Sequence, residues 1–206
     1  MMQTRRDVRE RRRLHSRRVR AVLAGGLVLG IGAAATLAAW NDSEFGAASF
    51  TAGRFDIVGA TDGTTFSSHA TAGTAATLNF QLAPTAMAPG TTTYALFSVR
   101  TANPSVAGTV QLTAGTPGGT GLATYLTYGV RTISGTTCNG TTYPAGTAVV
   151  TDGSALTAGG ASTQTVTANG ASQVNYCIAV TLPTTAPNAA QGLTMSQTWQ
   201  FQGTSS

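Results

Sequence analysis

Apolar and polar residues alternate one by one over several stretches after residue 40. The clearest runs from Val174 to Leu182. Val174, Tyr176, Ile178, Val180 and Leu182 point one way; Asn175, Cys177, Ala179 and Thr181 point the other. A period of two marks a strand with one buried face. Leu193, Met195, Trp199 and Phe201 repeat the pattern within 193–202, and Leu126, Tyr128 and Val130 do so over a shorter span. Further strands are expected at 54–58, 77–82, 92–101, 109–113, 147–151 and 163–167. Turn pairs separate them, among them Asp62-Gly63, Pro89-Gly90, Asn103-Pro104, Asn139-Gly140, Asp152-Gly153 and Asn169-Gly170. Gly and Asn tolerate left-handed backbone and Pro fixes φ, so these pairs reverse the chain. No window after residue 40 has a helical period. About eight or nine short strands at this spacing predict an all-β antiparallel sandwich over residues 54–206, without an internal domain boundary.

The first forty residues follow another pattern. Residues 1–20 hold nine of the twelve arginines, and 21–39 form an uncharged, mostly apolar run of nineteen. Positive charge ahead of an apolar run is the signature of a secretory signal. Residues 1–39 are therefore expected to be a signal peptide and an N-terminal helix, with 1–20 as n-region and 21–39 as h-region. Nineteen residues also suffice for one membrane span, so an uncleaved, spanning leader is the alternative, and the only membrane contact expected. The small Ala38 and Ala39 favour cleavage at the Ala39–Trp40 border. A cut there places Leu37 at the −3 position, where a small residue is the rule; a cut one residue earlier places Thr36 there.

Setting the leader aside reverses the charge. From Trp40 onward three cations, Arg54, Arg100 and Arg131, face five acids, Asp42, Glu44, Asp56, Asp62 and Asp152, for a net of −2, and lysine is absent throughout. Three scattered arginines cannot neutralise a phosphate backbone, so nucleic acid is not expected as a partner. Disorder normally joins low hydrophobicity to high net charge, and this chain has neither. Its abundant threonine suits exposed strand faces, being β-branched yet uncharged.

Candidate chemistry is sparse. Cys138 and Cys177 are the two cysteines, and in an exported chain an even count points to a disulfide, with two free thiols as the alternative. Cys177 lies on the face opposite the apolar row, so the bridge is expected to tie a loop around 136–140 to a strand's outer, non-core face. His69 is the single histidine after the leader. It is read as a solvated loop residue, because a metal site needs more nitrogen or sulfur ligands and no H-E-x-x-H is present. A Ser-His-Asp triad would have to use it. Nothing pairs the acids as glycoside hydrolysis requires, and there is no D-x-D-x-D-G calcium loop. No catalytic residue, metal site or cofactor is expected. Tyr94, Tyr125 and Tyr143 are the candidates for an exposed aromatic platform, as a carbohydrate-binding module would need.

Four segments carry a family resemblance. Thr36-Leu37-Ala38-Ala39-Trp40-Asn41-Asp42 resembles the border of signals cut by a dedicated, SipW-type signal peptidase. Ala48-Ser49-Phe50-Thr51-Ala52-Gly53-Arg54-Phe55-Asp56-Ile57 is similar to an opening strand of the form x-F-x-x-G-x-[LF]-D-[LI]. Residues 82–90 resemble an L-x-P-G step before a long strand, and 188–201 a closing Q-G step into a strand. The family is the TasA/camelysin group of exported matrix-fibre proteins, and the border with the opening strand is the most specific part of the match. The resemblance implies a jelly-roll-like sandwich, export by the dedicated peptidase, and self-association into secreted extracellular fibres. The chain departs from the group by lacking lysine and carrying two cysteines. Camelysin-like relatives are associated with protease activity, whose usual zinc motif is missing here.

Within this frame residues 40–53 form an extended N-terminal segment. Trp40, Asn41, Asp42 and Phe45 are candidates for a donor strand, freed by cleavage, that completes the sheet of a next subunit. On the plainer alternative Phe50 and Phe55 pack in the sandwich and Trp40 is disordered. The expected function is a non-catalytic structural subunit of fibres or biofilm matrix. The alternatives are a monomeric cell-surface adhesin or carbohydrate binder, and a secreted hydrolase.

Overall fold

The computed structural model describes residues 4–36, 42–81 and 87–206. The chain divides into two units, Met1–Phe50 and Thr51–Ser206.

The first unit holds one helix, α1 (Thr4–Thr36), which runs without a break from the arginine-rich stretch into the apolar one. Arg, Ala and Leu are strong helix formers, and they carry the helix through the Gly25-Gly26 pair. Among the described residues no helix is long and apolar enough to cross a membrane. Residues 42–50 are irregular and exposed.

The second unit is built of ten strands: β1 (Ile57–Ala60), β2 (Thr91–Thr101), β3 (Gly108–Ala114), β4 (Gly118–Gly119), β5 (Thr127–Ile133), β6 (Thr147–Ser154), β7 (Gln164–Val166), β8 (Gln173–Leu182), β9 (Met195–Ser196) and β10 (Trp199–Ser205). All pairings are antiparallel. A five-stranded sheet has the order β1-β2-β8-β5-β6, a three-stranded sheet the order β10-β3-β7, and β4 pairs with β9. β2 pairs with β8 and β3 with β7. The β2–β3 and β7–β8 connections therefore pass side by side from one sheet to the other, which is the wrapping of a jelly-roll-like sandwich.

The alternating row of β8 fills the core as its sequence predicts. Tyr176 and Ile178 are fully buried and Val180 and Leu182 nearly so, with Phe97 opposite Tyr176 across the β2 pairing. Val110, Leu112 and Val166 meet them from the three-stranded sheet. Phe201 of β10 stacks on both Phe97 and Tyr176, each at 4.8 Å between ring centroids.

Three expected strands take another form. The first begins at Ile57, because the carbonyls of Arg54 and Asp56 accept bonds from Val106 and Ala102 in the β2–β3 connection instead of from a strand. Residues 77–80 are irregular, although Leu78 and Phe80 still pack against the core. Their alternation marks a half-buried segment, but among the described residues the Gln81 amide alone donates to a neighbouring strand, at the Tyr94 carbonyl. The 193–202 strand is split into β9 and β10 around Gln197, whose side-chain amide donates to the Gly115 carbonyl. β4 lies in what reads as a turn: two glycines have no side-chain period to reveal a strand.

Candidate functional site

The outer face of the five-stranded sheet is not open. On β2, β8 and β5 the outward row comprises Tyr94, Leu96, Cys177, Ala179 and Ile133, and segment 134–146 lies across it to form a second small core. Cys138 in that segment is bonded to Cys177 on β8, with Cα atoms 5.3 Å apart. The disulfide is thus present between the expected residues and ties the loop to the outer face of β8 as expected, but that face is covered. Cys177 is fully buried and Cys138 is 6 % exposed, so the bridge sits inside a packed cluster. Alternation gives the direction of a side chain; it carries no information on what a distant loop lays over it.

The covering segment builds its own scaffold. The Asn139 side-chain oxygen accepts from the amides of Thr141 and Thr142, both at 2.9 Å, and the Thr142 hydroxyl donates to the Thr137 carbonyl at 2.7 Å. Asn and Thr favour such local turns because their short polar side chains reach nearby backbone. A single turn of 3₁₀ helix, Tyr143–Ala145, then returns the chain to β6. It aims the Tyr143 ring at Tyr94, 5.5 Å between centroids, and the Tyr143 hydroxyl donates to the carboxylate of Asp152 on β6. Arg131 on β5 donates to the same carboxylate at 2.7 Å and to the carbonyls of Pro144 and Gly146 at 3.3 and 3.2 Å. Gly129 makes this possible. A Cβ there would lie 2.3 Å from the Asp152 carboxylate and 2.4 Å from the Tyr143 hydroxyl.

The charges respond accordingly. Partial burial alone would raise the Asp152 pKa, but the hydrogen bonds from Tyr143 and Arg131 outweigh it and hold the carboxyl below its ordinary value. Asp152 in turn raises the Arg131 pKa. Burial, then the bond to Asp152, raises that of Tyr143.

The three tyrosines considered for a platform are not gathered. Tyr94 and Tyr143 belong to the second core, where Gly140 lies against the Tyr94 ring, whereas Tyr125 packs against the core between the sheets. His69 is more engaged than a solvated loop residue. Its Nδ1 lies 2.9 Å from the Thr74 carbonyl and its Nε2 3.0 Å from the Ser67 hydroxyl. A carbonyl can only accept, so Nδ1 is the donor to Thr74. The acids are engaged separately: Asp56 with Arg54 at 2.6 Å, Asp152 with Arg131, and Asp62 with the amides of Thr64 and Thr65. Among the described residues no group of three or more His, Cys, Asp or Glu is placed to hold a metal ion.

A cavity of about 1330 Å³ lies within the second unit. Leu78, Phe80, Met87, Met195, Trp199 and Phe201 contribute its apolar lining, and all six are half-buried, so it opens to solvent. β10 forms one wall and, among the described residues, pairs with β3 alone, at the edge of its sheet. No sequence signal marks the cavity, because part of its wall, Leu78, Phe80 and Met87, comes from stretches that form no strand.

In the first unit Phe45 is 96 % exposed and Phe50 94 % exposed. Phe55, in the second unit, packs in the sandwich as the plainer alternative has it: its ring fills the space a Cβ would need at Gly108 and Gly203. Ala39, Trp40 and Asn41, the expected cleavage border and start of the donor strand, lie outside the described residues, as does most of the 82–90 match. No protein-family model matches the chain, and no curated protein matches it.

Proposed function

We propose that the chain is an exported, non-catalytic structural subunit that self-associates into extracellular fibres or matrix after a dedicated peptidase removes residues 1–39. The observation that carries this reading is the pair of bare phenylalanines, Phe45 and Phe50, on an irregular and exposed segment. Burying a phenylalanine side chain is worth about 1.5–3 kcal/mol, so two held in water are a standing drive toward a covering partner. The acceptor in this reading is a second copy of the chain, at the apolar cavity and free β10 edge of its sandwich. Main-chain hydrogen bonds to an open edge supply affinity and the cavity takes side chains, as in strand addition generally. The uncharged surface of β10, Trp-Gln-Phe-Gln-Gly-Thr-Ser, places no repulsion in the way.

Electron microscopy and sedimentation of the chain beginning at Trp40 test the proposal against the same chain lacking 40–49. Filaments from the first and a folded monomer from the second are expected. Filaments that persist in the shortened chain would remove the donor-strand role.

A further inference from the structure

We propose that segment 134–146 is a flap held by two latches acting in parallel, one a reducible disulfide and one an ionic cluster, so that it opens only when both are released. The first latch is Cys138–Cys177, which joins the flap to the central strand of the five-stranded sheet. The second is Asp152, which binds the Tyr143 hydroxyl directly and fixes Arg131, whose guanidinium donates to two flap carbonyls. The latches grip opposite ends of the flap. Cys138 lies before the Asn139 turn; Tyr143, Pro144 and Gly146 lie after it. The turn's internal bonds let the flap keep its shape while one end is loose. Glycines stand at both junctions with the sheet, Gly135 and Gly146, and a Cβ at Gly135 would meet nothing within 4 Å. What an open flap bares is an apolar patch, Tyr94, Leu96, Ile133 and Ala179.

Release of the first latch is a two-electron reduction by a dithiol. A thiolate of the reductant attacks the Cys138 sulfur, which lies in the flap, while Cys177 is fully buried and departs as the thiolate. The second thiol of the reductant then displaces Cys138. Two electrons and two protons end on the protein cysteines, and the reductant leaves as its own disulfide.

Amide hydrogen exchange of the full chain tests the proposal, with and without dithiothreitol, in the wild type and in Asp152→Ala. Slow exchange in the flap is expected for the oxidised wild type, the reduced wild type and the oxidised variant. The reduced variant is expected to exchange at least about tenfold faster across 134–146, with the β2 and β8 amides unchanged. Fast flap exchange after either single release would overturn the parallel arrangement. Protection that survives both releases, or that is lost together with β2 and β8, would overturn the flap as a separate unit. Should Asp152→Ala fail to fold, the double variant Tyr143→Phe, Arg131→Met keeps the bulk of both side chains, removes the hydroxyl and guanidinium bonds, and is read in the same way.

Discussion

Reducing the Cys138–Cys177 bridge is expected to lower stability by about 4 kcal/mol, because the closed loop is 39 residues long and the chain-entropy model assigns that cost to a freed unfolded chain. Reduction of the wild type is a cleaner perturbation than mutation. Both sulfurs stay buried after reduction, and a buried thiol behaves as a small hydrophobe, so packing in the folded state is nearly conserved. The difference then reports mainly on the unfolded chain. For a domain of this size each kcal/mol moves the melting temperature by about 2–4 °C, which gives a drop of about 10 °C. The assay is urea and thermal unfolding followed by circular dichroism, in oxidised chain and in chain kept reduced, with free thiols counted in both. An oxidised chain with no free thiol whose stability changes by less than about 1 kcal/mol on reduction would refute the reasoning. It would mean that the unfolded chain already holds this loop nearly closed.

Tyr176 has a buried hydroxyl without a partner among the described residues, so Tyr176→Phe is expected to keep or raise stability, by up to about 1 kcal/mol in a urea titration; a loss above that would reveal a missing bond. Burial pushes the Tyr128 pKa up to about 12 and raises those of Tyr143 and Tyr176 from the same ordinary 10.0. The unfolded chain therefore gives up these protons first, and stability, intact below pH 10, is lost as pH rises toward the folded values; ionisation of all three near pH 10 in a chain with native circular dichroism would contradict this. Asp152 acts in the opposite sense. Its pKa is held below the ordinary 3.8, so its contribution is present above that value and fades as pH falls through the folded one. Asp152→Asn should flatten that acid limb by about 0.5 kcal/mol or less after solvent screening. Gln202→Lys on the exposed edge strand β10 should suppress filaments seen by electron microscopy while leaving the urea midpoint within about 0.5 kcal/mol of wild type; unchanged filaments would move the assembly contact away from this edge.

The sequence is most legible where one side of a strand faces the core. The rows Val174–Leu182 and Leu126–Val130 carry their burial in their own spacing, and β2, β3, β6 and β7 lie within a few residues of their expected positions. It is least legible where structure depends on a partner distant in the chain. Residues 77–80 have strand composition but form no ladder among the described residues, and Gly118-Gly119 pairs because Met195–Ser196 approaches it. The candidate sites divide in the same way. The disulfide partners are set by count alone. The Arg131–Tyr143–Asp152 cluster joins three elements, and its enabling residue is Gly129, whose only sequence signal is a glycine inside a strand pattern. The phenylalanines at 45 and 50 look alike in sequence to that at 55, yet only Phe55 has glycines at 108 and 203 to receive its ring.

The outer row of β8 explains why the flap depends on so few anchors. A central strand covered on both faces usually carries large apolar residues in both rows. Here the outward row is Asn175, Cys177, Ala179 and Thr181, all small or polar. Apolar burial scales with the area removed from water, and an alanine and a cysteine offer little of it. The flap itself adds one large apolar side chain, Tyr143, among Thr, Gly, Asn and Pro. Most of the apolar contact under the segment comes from Tyr94, Leu96 and Ile133 on the neighbouring strands, so β8 itself anchors the flap through its covalent bond, and one set of charges holds the other end. The inward row, with Tyr176, Ile178 and Val180 against Phe97, Val110 and Val130, has no such need. The two faces of one sheet are thus held by different physics. The core face responds mainly to changes in packing volume, and the flap face to redox state and to the charge on Asp152.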